Sequence, residues 1–334
     1  TLMKKDLKMR YSELIKVYQD LEATTKKLEK TDILASFLKK ASFEDLNEVI
    51  YLVEGRVFPQ WDERKIGFSS KLMLKAIAKA TGISSLKVEN EWKKIGDLGK
   101  VAENLIKEKT QKTLFSKGLN VKKVFNNIRN LSELTGEGTV AKKIDLVAEL
   151  LTNAEPVEAR FVVRTVLEEL RIGVAEGIVR DAIAKAYDID VEDVERVANL
   201  LVDYSEVAKL AKKGKSALQK ITLTVGKPIK VMLAVLVKDI PEAFEALGKP
   251  FQIESKLDGF RLEVHKIKNK ITLFTRRMEN VTNQFPDVVE YVKKNVKGDS
   301  FILDSEAVGY DAQTKRYLPF QSISLSLCAN GRDL

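Results

Sequence analysis

The hydrophobic repeat changes period once along this chain, near Gly226-Lys227-Pro228, and that change demands two differently built parts. Before it, apolar residues recur at spacings of three and four. Leu14, Ile15, Val17, Tyr18 and Leu21 form one stripe, and Leu46, Val49, Ile50 and Val53 a second. Leu98, Val101, Ala102, Leu105 and Ile106 form a third. Residues so spaced share one face of a helix, so each stripe predicts an amphipathic helix with a buried side. Ser42, Ser69, Ser70 and Asp97 stand ahead of such runs, where their oxygens can accept from the free N–H groups of a first turn. No heptad or fixed-period repeat is present, which argues against a coiled coil or a solenoid.

After the change, residues 251–256 and 260–265 alternate with period two, as half-buried strands do, and 271–274 and 301–308 add two more strands. Residues 286–296 predict one helix, with Pro286 in its first turn and Lys293 and Lys294 near its end. Strands with a helix predict an α+β domain behind an all-α one. A length of 334 residues also asks for more than one core. The expected boundary lies between residues 212 and 226, giving an all-α domain over 1–218 and an α+β domain over 219–334.

Cys328 is the single cysteine and His265 the single histidine. An intrachain disulfide is excluded, and a Cys/His zinc site lacks ligands. A Ser-His-Asp hydrolase would depend on His265, which sits in an alternating strand pattern. Chemistry therefore falls to Lys, Arg, Asp and Glu. Lys plus Arg number 57 against 48 Asp plus Glu, a net charge of +9 that favours an anionic partner such as nucleic acid without deciding the matter. No long uncharged apolar run suggests a membrane span, and the first residues lead into no apolar signal core. The expected location is intracellular.

Glu254, Lys256 and Asp258 stand two apart, so an extended chain projects all three from one face. Gly259 permits a bulge or tight turn. Arg261 follows, opposite in phase to Phe260, Leu262 and Val264. A lysine amine is a nucleophile only after losing its proton, which partial burial, a neighbouring arginine or a bound cation would favour. The same four charges equally suit a solvated strand face carrying a Lys–Glu and Asp–Arg ladder.

Glu254-Ser255-Lys256-Leu257-Asp258-Gly259-Phe260-Arg261 has the Glu-x-Lys-x-Asp-Gly-x-Arg form of the covalent nucleotidyltransferases: ATP-dependent DNA ligases, RNA ligases and capping enzymes. Two further segments follow in family order. Phe274-Thr275-Arg276-Arg277-Met278-Glu279-Asn280-Val281-Thr282 resembles the next motif, with Gln284-Phe285-Pro286-Asp287 trailing it. Phe301-Ile302-Leu303-Asp304-Ser305-Glu306-Ala307-Val308 resembles the third, continued by Pro319-Phe320-Gln321. Taken singly, Arg276 could be a solvated hairpin charge, and Asp304 and Glu306 the charges that protect an edge strand.

The helical part resembles the DNA-binding domain of archaeal and eukaryotic replicative DNA ligases. The most recognisable stretches are Phe58-Pro59-Gln60-Trp61, Gly136-Glu137-Gly138-Thr139 and Glu158-Ala159-Arg160-Phe161. Leu170-Arg171-Ile172-Gly173-Val174-Ala175-Glu176 and the join Gly226-Lys227-Pro228-Ile229-Lys230-Val231-Met232-Leu233-Ala234 complete them. The resemblance implies a multidomain ATP-dependent DNA ligase, an all-α DNA-binding domain followed by an α+β nucleotidyltransferase (adenylation) domain. Lys256 would attack the α-phosphate of ATP and hold AMP. Glu254 would accept from the adenine amino group, Arg261 contact the ribose or the nick phosphate, Arg276 a nucleotide phosphate, and Glu306 the ribose hydroxyls. Asp258 and Asp304 receive no role. ATP and Mg2+ would be cofactors and nicked double-stranded DNA the substrate. A sliding clamp would be a fitting partner, and the protein is expected to act as a monomer away from membranes.

Glycines ahead of helical runs, Gly136, Gly138 and Gly173, let backbone N–H groups approach phosphates, although any of them could simply end a helix. Lys142, Lys143, Arg164 and Arg171 are further phosphate-contact candidates. Departures from the family pattern also stand out. Ser255 and Leu257 replace common aromatics, Phe260 replaces a polar or small residue, and 322–334 do not match the expected continuation. The expectation is thus an incomplete adenylation domain, in a chain that binds DNA and seals nicks poorly. A non-catalytic DNA-binding derivative of a ligase, or an RNA ligase or capping-type enzyme, are the other readings.

Overall fold

The computed structural model describes residues 8–321 apart from 63, 109–117, 137, 232–233, 312 and 320. Glu137, Met232, Leu233, Phe320 and the segment 322–334 with Cys328 therefore lie outside the described residues. The chain divides into two compact units, Thr1–Ile221 and Thr222–Leu334.

The first unit is helical. It opens with α1 (Tyr11–Ala23), α2 (Lys27–Lys40), α3 (Leu46–Val53), α4 (Ser70–Thr81), α5 (Ser85–Ile95) and α6 (Leu98–Lys107). It continues with α7 (Val121–Asn130), α8 (Thr139–Asn153), α9 (Pro156–Val166), α10 (Glu176–Tyr187), α11 (Val191–Leu201), α12 (Tyr204–Lys213) and α13 (Lys215–Gln219). The predicted stripes are the buried faces of α1, α3 and α6, Ile106 alone being only partly covered. Ser69 caps α4 by accepting from Leu72 N at 3.4 Å. Asp97 caps α6 by accepting from Gly99 N at 2.8 Å and Lys100 N at 3.2 Å. Ser42 instead closes a turn with Asp45, the residue just before α3.

The broadest helix contacts join α2 to α10, α6 to α9, α4 to α8 and α3 to α12, partners far apart in sequence. At the α6–α9 crossing the backbones meet at Gly99, where a Cβ would stand 2.7 Å from Arg160 O and 2.9 Å from Arg164 Cγ. Beside that contact the Arg164 side chain is buried. Its Nη2 donates to Asp97 Oδ2 at 2.7 Å and its Nη1 to Glu22 Oε1 at 2.9 Å, binding α9 to the α6 cap and to α1. Arg164 is thus internal and unavailable as the surface phosphate contact expected of it. The long-range partner that makes it so is invisible in a helix-by-helix reading.

The second unit holds α14 (Ile240–Leu247), β1 (Phe260–Ile267), β2 (Lys270–Thr275), α15 (Pro286–Asn295), β3 (Ser300–Ala307), β4 (Gly309–Asp311) and β5 (Arg316–Leu318). Three strands form an antiparallel sheet in the order β2-β1-β3, and β4 and β5 make a separate hairpin. Leu262 and Val264 of β1, Ile271 and Leu273 of β2, and Val281, Phe285 and Val292 make its core, with α15 set on that face. The predicted strand over 251–256 is not formed. Residues 252–258 are exposed, and a period-two pattern makes no ladder without a partner whose N–H and C=O groups answer it. Among the described residues no helix is long and apolar enough to cross a membrane.

Replacing Arg164 by Met removes the cation from two carboxylates that burial has partly stripped of water. We expect a loss of about 3 kcal/mol in urea unfolding, with an unchanged m-value; a loss within 0.5 kcal/mol, roughly that of a neutral surface change, would contradict the role. Burial pushes the Asp97 carboxyl up, but the Arg164 pair and the two N–H groups outweigh it and hold the net below the ordinary aspartate range. A depressed carboxyl stabilises the fold above its unfolded pKa, and that stability is lost as pH falls through the folded value. Unfolding free energy should therefore drop below pH about 4, and less steeply in the Arg164→Met variant.

Candidate functional site in the second unit and candidate DNA-facing loops in the first

Gly259 governs how the end of β3 meets the start of β1. A Cβ there would lie 2.5 Å from Ala307 O, 2.7 Å from Val308 Cγ1 and 2.8 Å from Glu306 Cγ. The glycine is thus required by a close approach, and its backbone is not left-handed. That contact sets the Glu306 side chain against the Asp258-Gly259 bend, and the ladder pairs Arg261 directly with Glu306.

Arg261, Glu263 and His265 point to the side of β1 away from the apolar core, as period two requires. The Arg261 fork is taken by Asp304 on the neighbouring strand: Nε lies 2.9 Å from Oδ1, and Nη2 donates to Oδ2 at 2.9 Å. Such a two-point pair orients the guanidinium plane as well as attracting it. The remaining nitrogen, Nη1, is buried and has no hydrogen-bond partner among the described residues. Ser305 between the two acids donates its hydroxyl to Leu262 O at 2.7 Å, fastening β3 to β1 at the same level.

Arg276 lies in the turn that ends β2. Thr275 pairs with Leu262, so this turn stands at the same end of the sheet as Arg261 and Glu306. The turn is rigidified by Thr275, which accepts at Oγ1 from Arg277 N at 3.1 Å and donates to Glu279 Oε2 at 3.1 Å, with Met278 left-handed at φ 69°. Lys256 and Glu254 occupy the extended, exposed approach to β1, where Gln252 Nε2 donates to Glu254. The sheet therefore gathers Arg261, Asp304, Glu306 and Arg276 at one end, while Lys256 and Glu254 stand outside the ladder.

Sequence reasoning missed the Glu263–His265 pair. Both are buried, at 2% and 1% exposure, on a strand face that would otherwise be open. His265 Nδ1 accepts from Gly226 N at 2.7 Å, which puts the ring proton on Nε2, 2.9 Å from Glu263 Oε1. Glu263 also accepts from Ile229 N at 3.1 Å. The join segment is thereby hydrogen-bonded to the sheet. The shared phase of residues 261, 263 and 265 was the available signal; the partners were not.

In the first unit, Gly138 is left-handed at φ 78° just before α8, and open space surrounds the Cβ positions of Gly136 and Gly138. Lys142 is exposed, and Lys143 Nζ donates to Gly67 O at 3.4 Å. Phe58 is buried between the guanidinium groups of Arg64 and Arg129, 4.4 and 5.0 Å from its ring centre. Gln60 donates to Glu176 at the start of α10, at 2.6 Å. Arg171 is exposed and paired with Glu169.

The family described as DNA ligase N terminus matches residues 10–184, and the ATP dependent DNA ligase domain matches 231–330. A DNA ligase of Nanoarchaeum equitans is 44% identical over 317 residues, covering 95% of this chain and 56% of its own length. DNA ligases of Methanothermobacter thermautotrophicus and Thermococcus onnurineus are 43% and 41% identical, over 89% and 94% of this chain and 53% and 56% of their own lengths. The chain thus spans about half the length of the curated relatives it matches. With both successive family regions matched in order and covering most of its residues, this chain belongs to the ATP-dependent DNA ligase family.

Proposed function

We propose that the protein seals nicks in duplex DNA through a covalent lysyl-AMP intermediate, serving replication, repair and recombination inside the cell. The observation that carries this reading is the gathering of Arg261, Glu306 and Arg276 at one sheet end, next to the stretch bearing Lys256. The Lys256 amine attacks the α-phosphate of ATP; a P–N bond forms, the P–O bond to pyrophosphate breaks, and pyrophosphate leaves. AMP then passes to the 5′-phosphate of the nick. The 3′-hydroxyl attacks that phosphate, and AMP departs as the phosphodiester closes.

Arg261 would contact the ribose or the nick phosphate, with Asp304 fixing the plane of its guanidinium. Asp304 is then a positioning residue. Glu306 would hold ribose hydroxyls, Arg276 a nucleotide phosphate, and Glu254 the adenine amino group. Magnesium commonly arrives on nucleotide phosphates with one or two protein carboxylates. Among the described residues no group of three or more His, Cys, Asp or Glu could cage a metal. The first unit would grip the duplex through its phosphates at Gly136, Gly138, Lys142, Lys143 and Arg171, contacts that position without reading sequence. With Lys256 exposed to water, positioning is weak, and we expect this chain alone to bind nicked duplex and seal it poorly.

Incubation with Mg2+ and ATP labelled on the α-phosphate should leave label on the denatured protein that survives alkali and is released by acid, as a P–N bond requires, with none on a Lys256→Ala variant and none from GTP. Label that persists in the variant would assign the nucleophile elsewhere. Asp304→Asn, which frees the Arg261 fork, should slow labelling by roughly ten- to a hundredfold without moving the melting temperature much. An unchanged rate would remove Asp304 from the site.

A further inference from the structure

The loop between α9 and α10 takes an unusual path. Glu168, Arg171 and Gly173 are all left-handed, at φ 58°, 56° and 66°. Leu170 and Ile172 turn inward and are buried, whereas Arg171 and Gly173 face solvent. A non-glycine residue avoids that backbone unless its surroundings enforce it, and two within four positions need an identifiable enforcer.

For the Arg171–Gly173 end that enforcer is Lys30 of α2. Its side chain is 5% exposed, and its ammonium donates to Leu21 O in the last turn of α1, at 2.7 Å, and to Ile172 O in the loop. The amine fills the space that a side chain at residue 173 would need: a Cβ there would be 2.7 Å from Nζ and 3.6 Å from Cε. Burial lowers the Lys30 pKa and nearby Glu22 opposes the shift, so the cation is held at a desolvation cost that an apolar residue would avoid. Below the loop, Glu169 N donates to Arg164 O at 2.8 Å, joining it to the buried arginine of α9. Both ends are thus set from inside, and outward the loop presents the Arg171 guanidinium and the Gly173 backbone beside the exposed Glu168 and Glu169.

We infer that Lys30 is a positioning residue for DNA binding: its buried ammonium locks the Arg171–Gly173 loop in the shape in which Arg171 meets a backbone phosphate. Lys30 itself touches no DNA. The inference rests on the DNA-binding reading of the first unit. The phosphate takes Arg171 from Glu169, its exposed partner in the free protein.

The test is fluorescence anisotropy of a labelled nicked duplex with the full chain, across a potassium chloride series. Arg171→Ala should weaken binding by about tenfold and reduce the slope of log K against log salt by about 0.9, one phosphate contact. Lys30→Met should do the same, although the residue is buried, and Arg171→Ala should then cost little further in the Lys30→Met background. Gly173→Ala, whose methyl displaces the amine, provides a second route to the same loss should Lys30→Met fail to fold. A wild-type slope in Lys30→Met or Gly173→Ala, with Arg171→Ala costing as much as before, would make Lys30 merely structural and overturn the inference alone. Absence of salt-dependent binding by the unaltered chain overturns the DNA reading and this inference with it.

Discussion

A buried guanidinium holds much of the helical unit in register. Arg164 lies where α9 crosses α6, and its two arms reach the Asp97 cap and Glu22 of α1. The same Asp97 carboxylate that starts α6 thus also pins α9, so local helix capping and long-range packing share one group. The crossing can be this close only because residue 99 has no side chain. A buried charge of this kind adds little net stability over a well-packed apolar substitute, but it tolerates only one arrangement of its partners. Its carbonyl in turn receives Glu169 N, so the loop into α10 begins from a fixed point.

The second unit uses the opposite scheme. Its apolar core covers one face of a three-stranded sheet, and the other face of β1 carries Arg261, Glu263 and His265. Each finds a fixed partner: Asp304 for the arginine, backbone N–H groups of the join for the acid and the imidazole. Polar groups on a strand face are costly when dry and unpaired; here Glu263 and His265 are dry and paired, and the Arg261–Asp304 pair stands at the exposed edge. One atom departs from that rule, Arg261 Nη1, at the end of the sheet where Glu306 and the Arg276 turn also stand.

Much of this was legible in the linear chain. Helical stripes at three and four marked α1, α3 and α6, and Ser69 and Asp97 marked the starts of α4 and α6, because helices bury one face and end on local hydrogen bonds. Period two identified β1, β2 and β3. It also suggested a strand over 251–256 that does not form, since alternation states only what a strand would bury and not whether a partner is there. The motif around Lys256 was readable because its residues are contiguous in the chain.

Tertiary structure decided what depends on residues far apart in the chain. Nothing local distinguishes Arg164, which is internal, from Arg171, which is exposed; their difference lies in Asp97 and Glu22. Lys30 reads as one more helical lysine until Ile172 and Gly173 fold over it. Asp304 gains a purpose only once the β1–β3 register sets it diagonally from Arg261, and Gly259 is required by the passage of β3 rather than by its own backbone angle. Sequence by itself determined most of the elements, the Glu-x-Lys-x-Asp-Gly-x-Arg motif around Lys256 and the side-chain chemistry available, since these follow from periodicity and side-chain type. Only the fold decided which charges are surface and which are buttress, because that is settled by desolvation and by partners the chain supplies from more than a hundred residues away.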